Sequence, residues 1–308
     1  MTTARRVVVA GATGLIGRSL CRQLLEHGYE LTIFSRDGAA AKKRVPGAHD
    51  YVDWSPAESG PWAGALDGAY AVVNLAGASV FGRRWTEGYK REIRDSRVVG
   101  TRGLVRAMLR AGRRPQVFVT GSGVGYYGFR DDAPVDEGAG PGDDFLARVC
   151  ADWENEALPA ESGGIRTVRL RTGVVLSLEE GALPQMLLPF RLFGGGPILP
   201  GTQWFSWIHL ADQVALILLA LENERVSGAL NATAPEPLRN RDFAALLGKH
   251  YGTPSWLPVP GFSLRVLLGE VADMISEGQR AIPHAALDAG YQFRFPTADA
   301  ALRDLFKK

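Results

Sequence analysis

Apolar positions in this chain alternate between short unbroken runs and stretches where they return every third or fourth residue. The first run, Val7-Val8-Val9-Ala10, is β-branched and apolar throughout, which predicts a strand buried on both faces. Beyond it Ile16, Leu20 and Leu24 repeat at helical spacing, and Gly28 stands where that helix would end. Further strands are predicted over Glu30 to Ser35, around Tyr51 to Trp54, and over Ala69 to Leu75, Gln116 to Thr120 and Thr167 to Leu176. A short polar helix separates the second and third. Longer helices are predicted from Thr86 to Arg110 and from Asp144 to Leu158. Apolar strands alternating with helices give an α/β fold, a doubly wound parallel sheet covered on both sides.

After Leu176 the texture changes. Phe193-Gly194-Gly195-Gly196-Pro197 and Pro200-Gly201 punctuate a loop-rich stretch, and several prolines separate short helices near the end. The boundary expected is a dinucleotide-binding domain over residues 1–176 and a smaller α+β substrate domain over 177–308. The chain would return to the first domain at about 205–233.

The 308 residues carry a net charge of +2, and 46% are hydrophobic. That balance gives no field for nucleic acid or an anionic membrane. The most apolar stretch, Val214 to Leu221, is much shorter than the ~20 residues of a membrane span. The first strand starts too early to leave room for a signal peptide. Cys21 and Cys150 form no spaced pair, so neither a disulfide framework nor a metal site is expected. The expectation is a soluble, cytoplasmic protein.

The joint between first strand and first helix is Gly11-Ala12-Thr13-Gly14-Leu15-Ile16-Gly17. Glycines at this spacing permit a tight turn, a close backbone approach to a pyrophosphate, and close packing of helix on strand. The helix N-terminus adds free donors and partial positive charge. After the second strand, where an acidic residue would bond the ribose of NAD, stands Ser35-Arg36. A guanidinium there pairs with a 2′-phosphate, so NADP(H) is favoured over NAD(H), and Lys42, Lys43 and Arg44 stand near enough to add positive potential. Asp37 would relax that preference if it turned inward.

These segments, with Asn74-Leu75-Ala76-Gly77 and Trp207-Ile208-His209-Leu210-Ala211-Asp212, resemble the extended, epimerase-like branch of the short-chain dehydrogenase/reductases. Arg84-Trp85, Asp95-Ser96-Arg97, Gly125-Tyr126-Tyr127-Gly128, Asp152-Trp153-Glu154, Arg171 to Leu176 and Gly278-Gln279-Arg280 narrow the likeness. They are similar to NAD-dependent epimerase/dehydratase family proteins that end in a domain of unknown function. The resemblance implies a Rossmann-like fold in which Gly11, Thr13, Gly14, Leu15, Ile16 and Gly17 cradle the pyrophosphate. Ser35 and Arg36 would hold the adenosine phosphate. Leu75, Ala76, Gly77, Glu92, Arg97, Thr120, Gly121 and Val175 would line the rest of the cofactor site. A homodimer is also implied.

One departure stands out. Members of this superfamily use a Ser or Thr, a Tyr, and a Lys four residues after the Tyr. By spacing, Gly123 falls at the hydroxyl position, and Leu146 and Cys150 fall where Tyr and Lys belong. The remaining candidates for proton chemistry are Ser122, Tyr126 and Tyr127. His209 and Asp212 read as fold-shaping residues, and Cys150 as a buried helix residue. Gly194 to Pro197 and Gly201 to Trp207 would face the nicotinamide, with Gln203 and Trp204 as candidate substrate contacts, and there is no clear diphosphate clamp, since Arg191 is the nearest cation and Arg239 is distant. The chain therefore reads as an NADP(H)-dependent oxidoreductase or epimerase with an unusual proton donor. Its small-molecule substrate would be sugar-like or nucleotide-sugar-like. The alternative is a catalytically weak cofactor binder with a regulatory, cell-division-inhibitor-like role.

Overall fold

The structure is a computed structural model that describes residues 5–56 and 60–307. Its strands are β1 (Arg6–Ala10), β2 (Glu30–Ser35), β3 (Asp50–Asp53), β4 (Ala71–Asn74), β5 (Val117–Gly123), β6 (Pro134–Val135) and β7 (Arg166–Thr172). They continue with β8 (Val174–Leu176), β9 (Trp204–Phe205), β10 (Trp207–His209), β11 (Gly228–Ala232), β12 (Leu238–Arg239) and β13 (Arg280–Ala281). Seven of them form one sheet in the order β11-β7-β5-β4-β1-β2-β3, with every pairing parallel. The order reverses beside β1, which is where open α/β sheets leave a crevice at their carboxyl ends.

Burial on both faces explains the unbroken apolar strands. Along β1, Val7 and Val9 join Leu20, Leu24 and Ile217 in one core, while Val8 and Ala10 join Phe34, Leu104 and Met108 in the other. Each such side chain contributes about 1.5–3 kcal/mol when fully buried. The helices are α1 (Leu15–Glu26), α2 (Gly38–Arg44), α3 (Glu87–Arg110), α4 (Phe145–Asn155), α5 (Leu158–Ser162), α6 (Ala182–Arg191) and α7 (Leu210–Glu222). Thr86 caps α3 and Asp144 caps α4, each accepting a backbone N–H three residues on. The single helix expected over Asp144 to Leu158 is two, because Pro159 sits in the first turn of a new one.

The strand expected over Thr167 to Leu176 is also two. A Cβ on Gly173 would lie 2.8 Å from the Ser206 carbonyl, so the backbones of Gly173 and Ser206 meet closely. There the chain leaves β11 and pairs with β10 instead. Leu176 and Trp207 thereby enter a separate core with Leu187, Phe190, Phe243 and Leu302. Asp212 does more than begin a helix. Its buried carboxylate accepts from Tyr291 Oη at 2.7 Å and from the Arg294 and Phe295 amides at 2.8 and 2.9 Å, pinning the C-terminal segment to α7. No helix among the described residues is long and apolar enough to cross a membrane.

Candidate functional site

The glycine joint forms one wall of the crevice. Gly11 has φ +83°, and a Cβ on it would meet the Leu75–Ala76 peptide at 2.6–2.7 Å, so the turn rests directly on the end of β4. A Cβ on Gly17 would fall 2.3 Å from the Gly11 carbonyl oxygen. Gly14 differs: the nearest protein atom to its Cβ position would be Gly11 O at 3.5 Å. Two glycines are required by the protein itself, and the third leaves exposed backbone open at a helix N-terminus.

Beside this turn lies a layered contact. Asn74 donates to Thr101 Oγ1 at 2.9 Å, and Trp153 Nε1 donates to the same oxygen at 2.8 Å. Gly121 lets the Trp153 ring approach β5, since a Cβ there would sit 2.8 Å from the indole. The Arg97 guanidinium packs 5.2 Å over that ring and against Gly77. It donates once, to Ile93 O at 2.9 Å, and among the described residues it has no carboxylate within ion-pair distance. Burial lowers its pKa, as expected for a desolvated cation without a counter-charge. Its neighbours on α3 differ: Arg94 pairs with Asp152, Arg102 with Glu156 and Lys90 with Glu270. Glu92 is exposed and pairs with Arg83 at 2.5 Å.

At the far end of the crevice, Arg36, Asp53, Trp54, Pro56 and Trp62 line a cavity of about 320 Å³. Asp37 does not turn inward. Its carboxylate caps α2, accepting from the Ala40 amide at 2.8 Å. Asp53 is likewise engaged with the Gly38 amide at 2.7 Å, while Arg36 is exposed and has no ion pair among the described residues. Of the basic cluster that follows, Arg44 points to Glu180 at 3.6 Å. Arg18 on α1 reaches Glu180 too, at 3.2 Å, tying the start of the smaller region to the glycine turn. Leu15 and Val175 flank Gly181 at that junction.

The carboxyl end of β5 and β7 holds a different arrangement. Arg171 grips Glu154 through Nε and Nη2 at 2.8 and 2.9 Å. Ser122 Oγ donates to the same carboxylate at 2.7 Å. Arg171 Nη1 donates to the Tyr127 hydroxyl at 3.0 Å, and that hydroxyl donates to Asn231 Oδ1 at 2.6 Å. Tyr127 is fully buried, and burial pushes its phenol up to about 12 against the opposing pull of Arg171 and Asn231. Ser122 and Tyr127 therefore have their hydroxyls committed to the fold. Tyr126 is half-buried, lies under the Arg171 guanidinium at 3.5 Å, and its hydroxyl has no partner among the described residues. Glu154 and Arg171, the organisers of this network, are not signalled as a pair by their spacing.

The model of the NAD dependent epimerase/dehydratase family matches residues 7–232, and a domain of unknown function (DUF1731) matches residues 259–305. The chain is 40% identical to the chloroplastic epimerase family protein SDR39U1 homolog of Arabidopsis thaliana, covering 98% of this chain and 86% of that one. The chain belongs to the NAD dependent epimerase/dehydratase family. Its structure is similar to that of human epimerase family protein SDR39U1, solved with NADPH, at TM-score 0.85 and 36% identity over 98% of this chain and 99% of that one. It is also similar to a nucleoside-diphosphate sugar epimerase from Corynebacterium glutamicum, at TM-score 0.78 and 31% identity, covering 99% of this chain and 58% of that one.

Helix α4 carries Leu146 and Cys150 at the two positions where the resemblance in sequence implies Tyr and Lys. Helix α4 lays Leu146 against Gly125 and Cys150 Sγ against Gly123, 3.5 and 3.8 Å from where their Cβ atoms would be. Burial pushes the Cys150 thiol up to about 11, so it is inert as a nucleophile at neutral pH. Thr120, in the middle of β5, has a buried hydroxyl with no partner among the described residues.

In the smaller region the candidate residues are engaged with the protein itself. Gly195 and Gly196 are packing glycines, pressed on Phe190 and on the Leu257 backbone, where a Cβ would lie 2.2 and 2.1 Å away. Gln203 spends its amide nitrogen on the Ile198 and Ile275 carbonyls at 3.0 and 3.3 Å, and its buried Oε1 has no partner among the described residues. Trp207 is core, with Nε1 donated to Glu236 O. His209 caps α7 through Nδ1 and stacks on Phe295 at 4.0 Å. Arg239, remote in sequence, is not remote in space: it lies 3.9 Å over Trp204.

Proposed function

We propose that this family member binds NADP(H) in the crevice and serves as an oxidoreductase or epimerase of a small molecule. The observation that carries this reading is Arg97, a half-buried cation with no carboxylate within ion-pair distance among the described residues, near an open glycine turn. A partly desolvated charge without a counter-ion is costly, and a pyrophosphate supplies that counter-charge. Gly14 and the α1 N-terminus would take the pyrophosphate, Leu75, Ala76 and Thr120 the adjoining ribose and nicotinamide half, and Ser35 and Arg36 the 2′-phosphate. The NADPH in the human relative supports the phosphorylated coenzyme. When bound, the nicotinamide accepts or returns hydride. This chain's residues would orient it, exclude water, and hold a proton at Tyr126 Oη, the one unengaged hydroxyl of the three candidates. The name of the bacterial sugar epimerase supports a sugar-like substrate.

Calorimetry tests the first step: NADPH binds more tightly than NADH, and Arg36→Glu weakens NADPH by about tenfold or more while leaving NADH nearly unchanged. Equal losses would remove Arg36 from phosphate recognition. NADPH oxidation across carbonyl and nucleotide-sugar panels tests turnover, with Tyr126→Phe expected to abolish it. A second reading is favoured by the spent Ser122 and Tyr127 hydroxyls and by Leu146 and Cys150: cofactor binding coupled to regulation with little catalysis. Tight NADPH binding with no turnover on any panel would select it.

A further inference from the structure

Part of the smaller region keeps large apolar side chains in water. Helices α8 (Asn240–Tyr251) and α9 (Gly261–Leu268) follow α7, and the segment between them folds back on the end of α6. There the Gly195 carbonyl accepts from the Trp256 and Leu257 amides at 3.0 and 3.2 Å, and Trp256 Nε1 donates to Phe193 O at 3.1 Å. The Leu199 amide donates to Val259 O at 2.9 Å, which brings the start of α9 to the same edge. Helix α9 turns Phe262 and Val266, one helical turn apart, to solvent. Leu192, Phe193, Trp256, Leu257, Phe262 and Val266 thus lie along one continuous surface, each between 45% and 82% exposed. Apolar residues exposed singly are ordinary, whereas a contiguous set of this size marks an interaction surface.

The charges around this edge select its partner. Arg191, next to Leu192, is exposed and has no ion pair among the described residues. Arg265 stands between Phe262 and Val266 and is held only loosely, 3.7 Å from Asp273. Arg84 reaches the Val266 carbonyl at 3.4 Å and has no carboxylate within ion-pair distance among the described residues. The acids that follow α9 are already matched, Asp273 by Arg265 and Glu270 by Lys90 at 2.5 Å. The edge therefore carries a local positive excess that the small net charge of the chain conceals. A second copy docked through a two-fold axis would set these arginines against their own equivalents. An anionic lipid surface answers both features, taking aromatic and aliphatic side chains at the headgroup level and arginines on phosphates.

We propose that this edge of the smaller region docks on an anionic lipid surface. The proposal is independent of the crevice and of the coenzyme it holds. Full-length protein is sedimented with vesicles of phosphatidylcholine and, separately, with vesicles of equimolar phosphatidylcholine and phosphatidylglycerol. It is expected to bind the anionic vesicles, to bind the neutral ones about tenfold more weakly, and to be released by salt. Phe262→Ser combined with Val266→Ser should weaken binding by about tenfold or more. Arg191→Gln should weaken it about fivefold, on anionic vesicles alone. All three side chains are exposed, so the unfolding midpoint should stay at the parent value, which separates lost docking from lost fold. Brominated acyl chains should quench tryptophan fluorescence, and Trp256→Phe should remove most of that quenching. Absence of binding to either vesicle, or binding unaltered in both the apolar and the arginine variants, overturns the proposal. Equal binding to the two vesicles overturns the assignment to anionic lipid. A concentration-dependent dimer in analytical ultracentrifugation, abolished by Phe262→Ser with Val266→Ser in protein that ignores vesicles, gives the edge to a second copy and overturns it likewise.

Discussion

The carboxyl edge of β1 and β4 and the carboxyl edge of β5 and β7 lie side by side, and both carry arginine near tryptophan or tyrosine. At the first edge, Arg97 has one backbone acceptor and no acid among the described residues, and Gly14 is exposed. At the second, Arg171 has a bidentate carboxylate, a phenol and the Glu137 carbonyl, and Glu154 receives a serine as well. One edge keeps its polar capacity unspent and the other consumes it. An unspent, partly desolvated charge marks where a ligand belongs, whereas a closed network fixes the fold.

Substitutions separate the two edges. The largest effect is expected for Arg171→Ala, which strips Glu154 of its bidentate partner, leaving it Ser122 and the more distant Arg169 at 3.5 Å, and should cost about 3 kcal/mol in denaturant unfolding. A loss below about 1 kcal/mol would mean the network is incidental. Arg97→Leu should do the reverse: stability unchanged or higher, with NADPH affinity down roughly ten- to hundredfold, the worth of one charged hydrogen bond. If Arg97→Leu unfolds the protein instead, the first edge is structural too. Gly14→Ala is expected to alter stability by less than about 1 kcal/mol, because φ there is −77° and no protein atom crowds the new methyl. It should weaken NADPH about tenfold by blocking backbone approach. Unaltered affinity would displace the pyrophosphate from this turn.

The smallest effect concerns pH. Burial lowers the His209 pKa below its ordinary 6.5, with Asp304 and Asp212 opposing. The unfolded chain then binds more protons than the folded one near that value. The contribution to stability is present above pH about 6.5 and is lost as pH falls toward the folded-state pKa. His209→Asn, which keeps a side-chain acceptor for the Ala211 amide, should flatten that part of the stability–pH curve. An unchanged slope would assign it to another group.

Much of the first edge was legible from residue order. Gly11 to Gly17, Thr86 as a helix start, Asp144 as another, and the β2 boundaries follow from local spacing, because turns and caps are decided within a few residues. Asp37 beside Arg36 left the cofactor preference open until its carboxylate was found on the Ala40 amide. The second edge was not legible. Glu154, Arg171, Tyr127 and Asn231 come from separate elements, and nothing in their spacing marks them as partners. The same holds for Arg239 and Arg280 over Trp204, and for Asp212 with Tyr291.

The amino-acid order by itself determined the alternating α/β layout, the glycine turn, and the absence of Tyr and Lys at Leu146 and Cys150, since each depends on neighbours along the chain. Only the tertiary structure decided which charges are satisfied. Pairing and desolvation belong to groups brought together from distant positions, and those separate the spent Arg171 from the waiting Arg97.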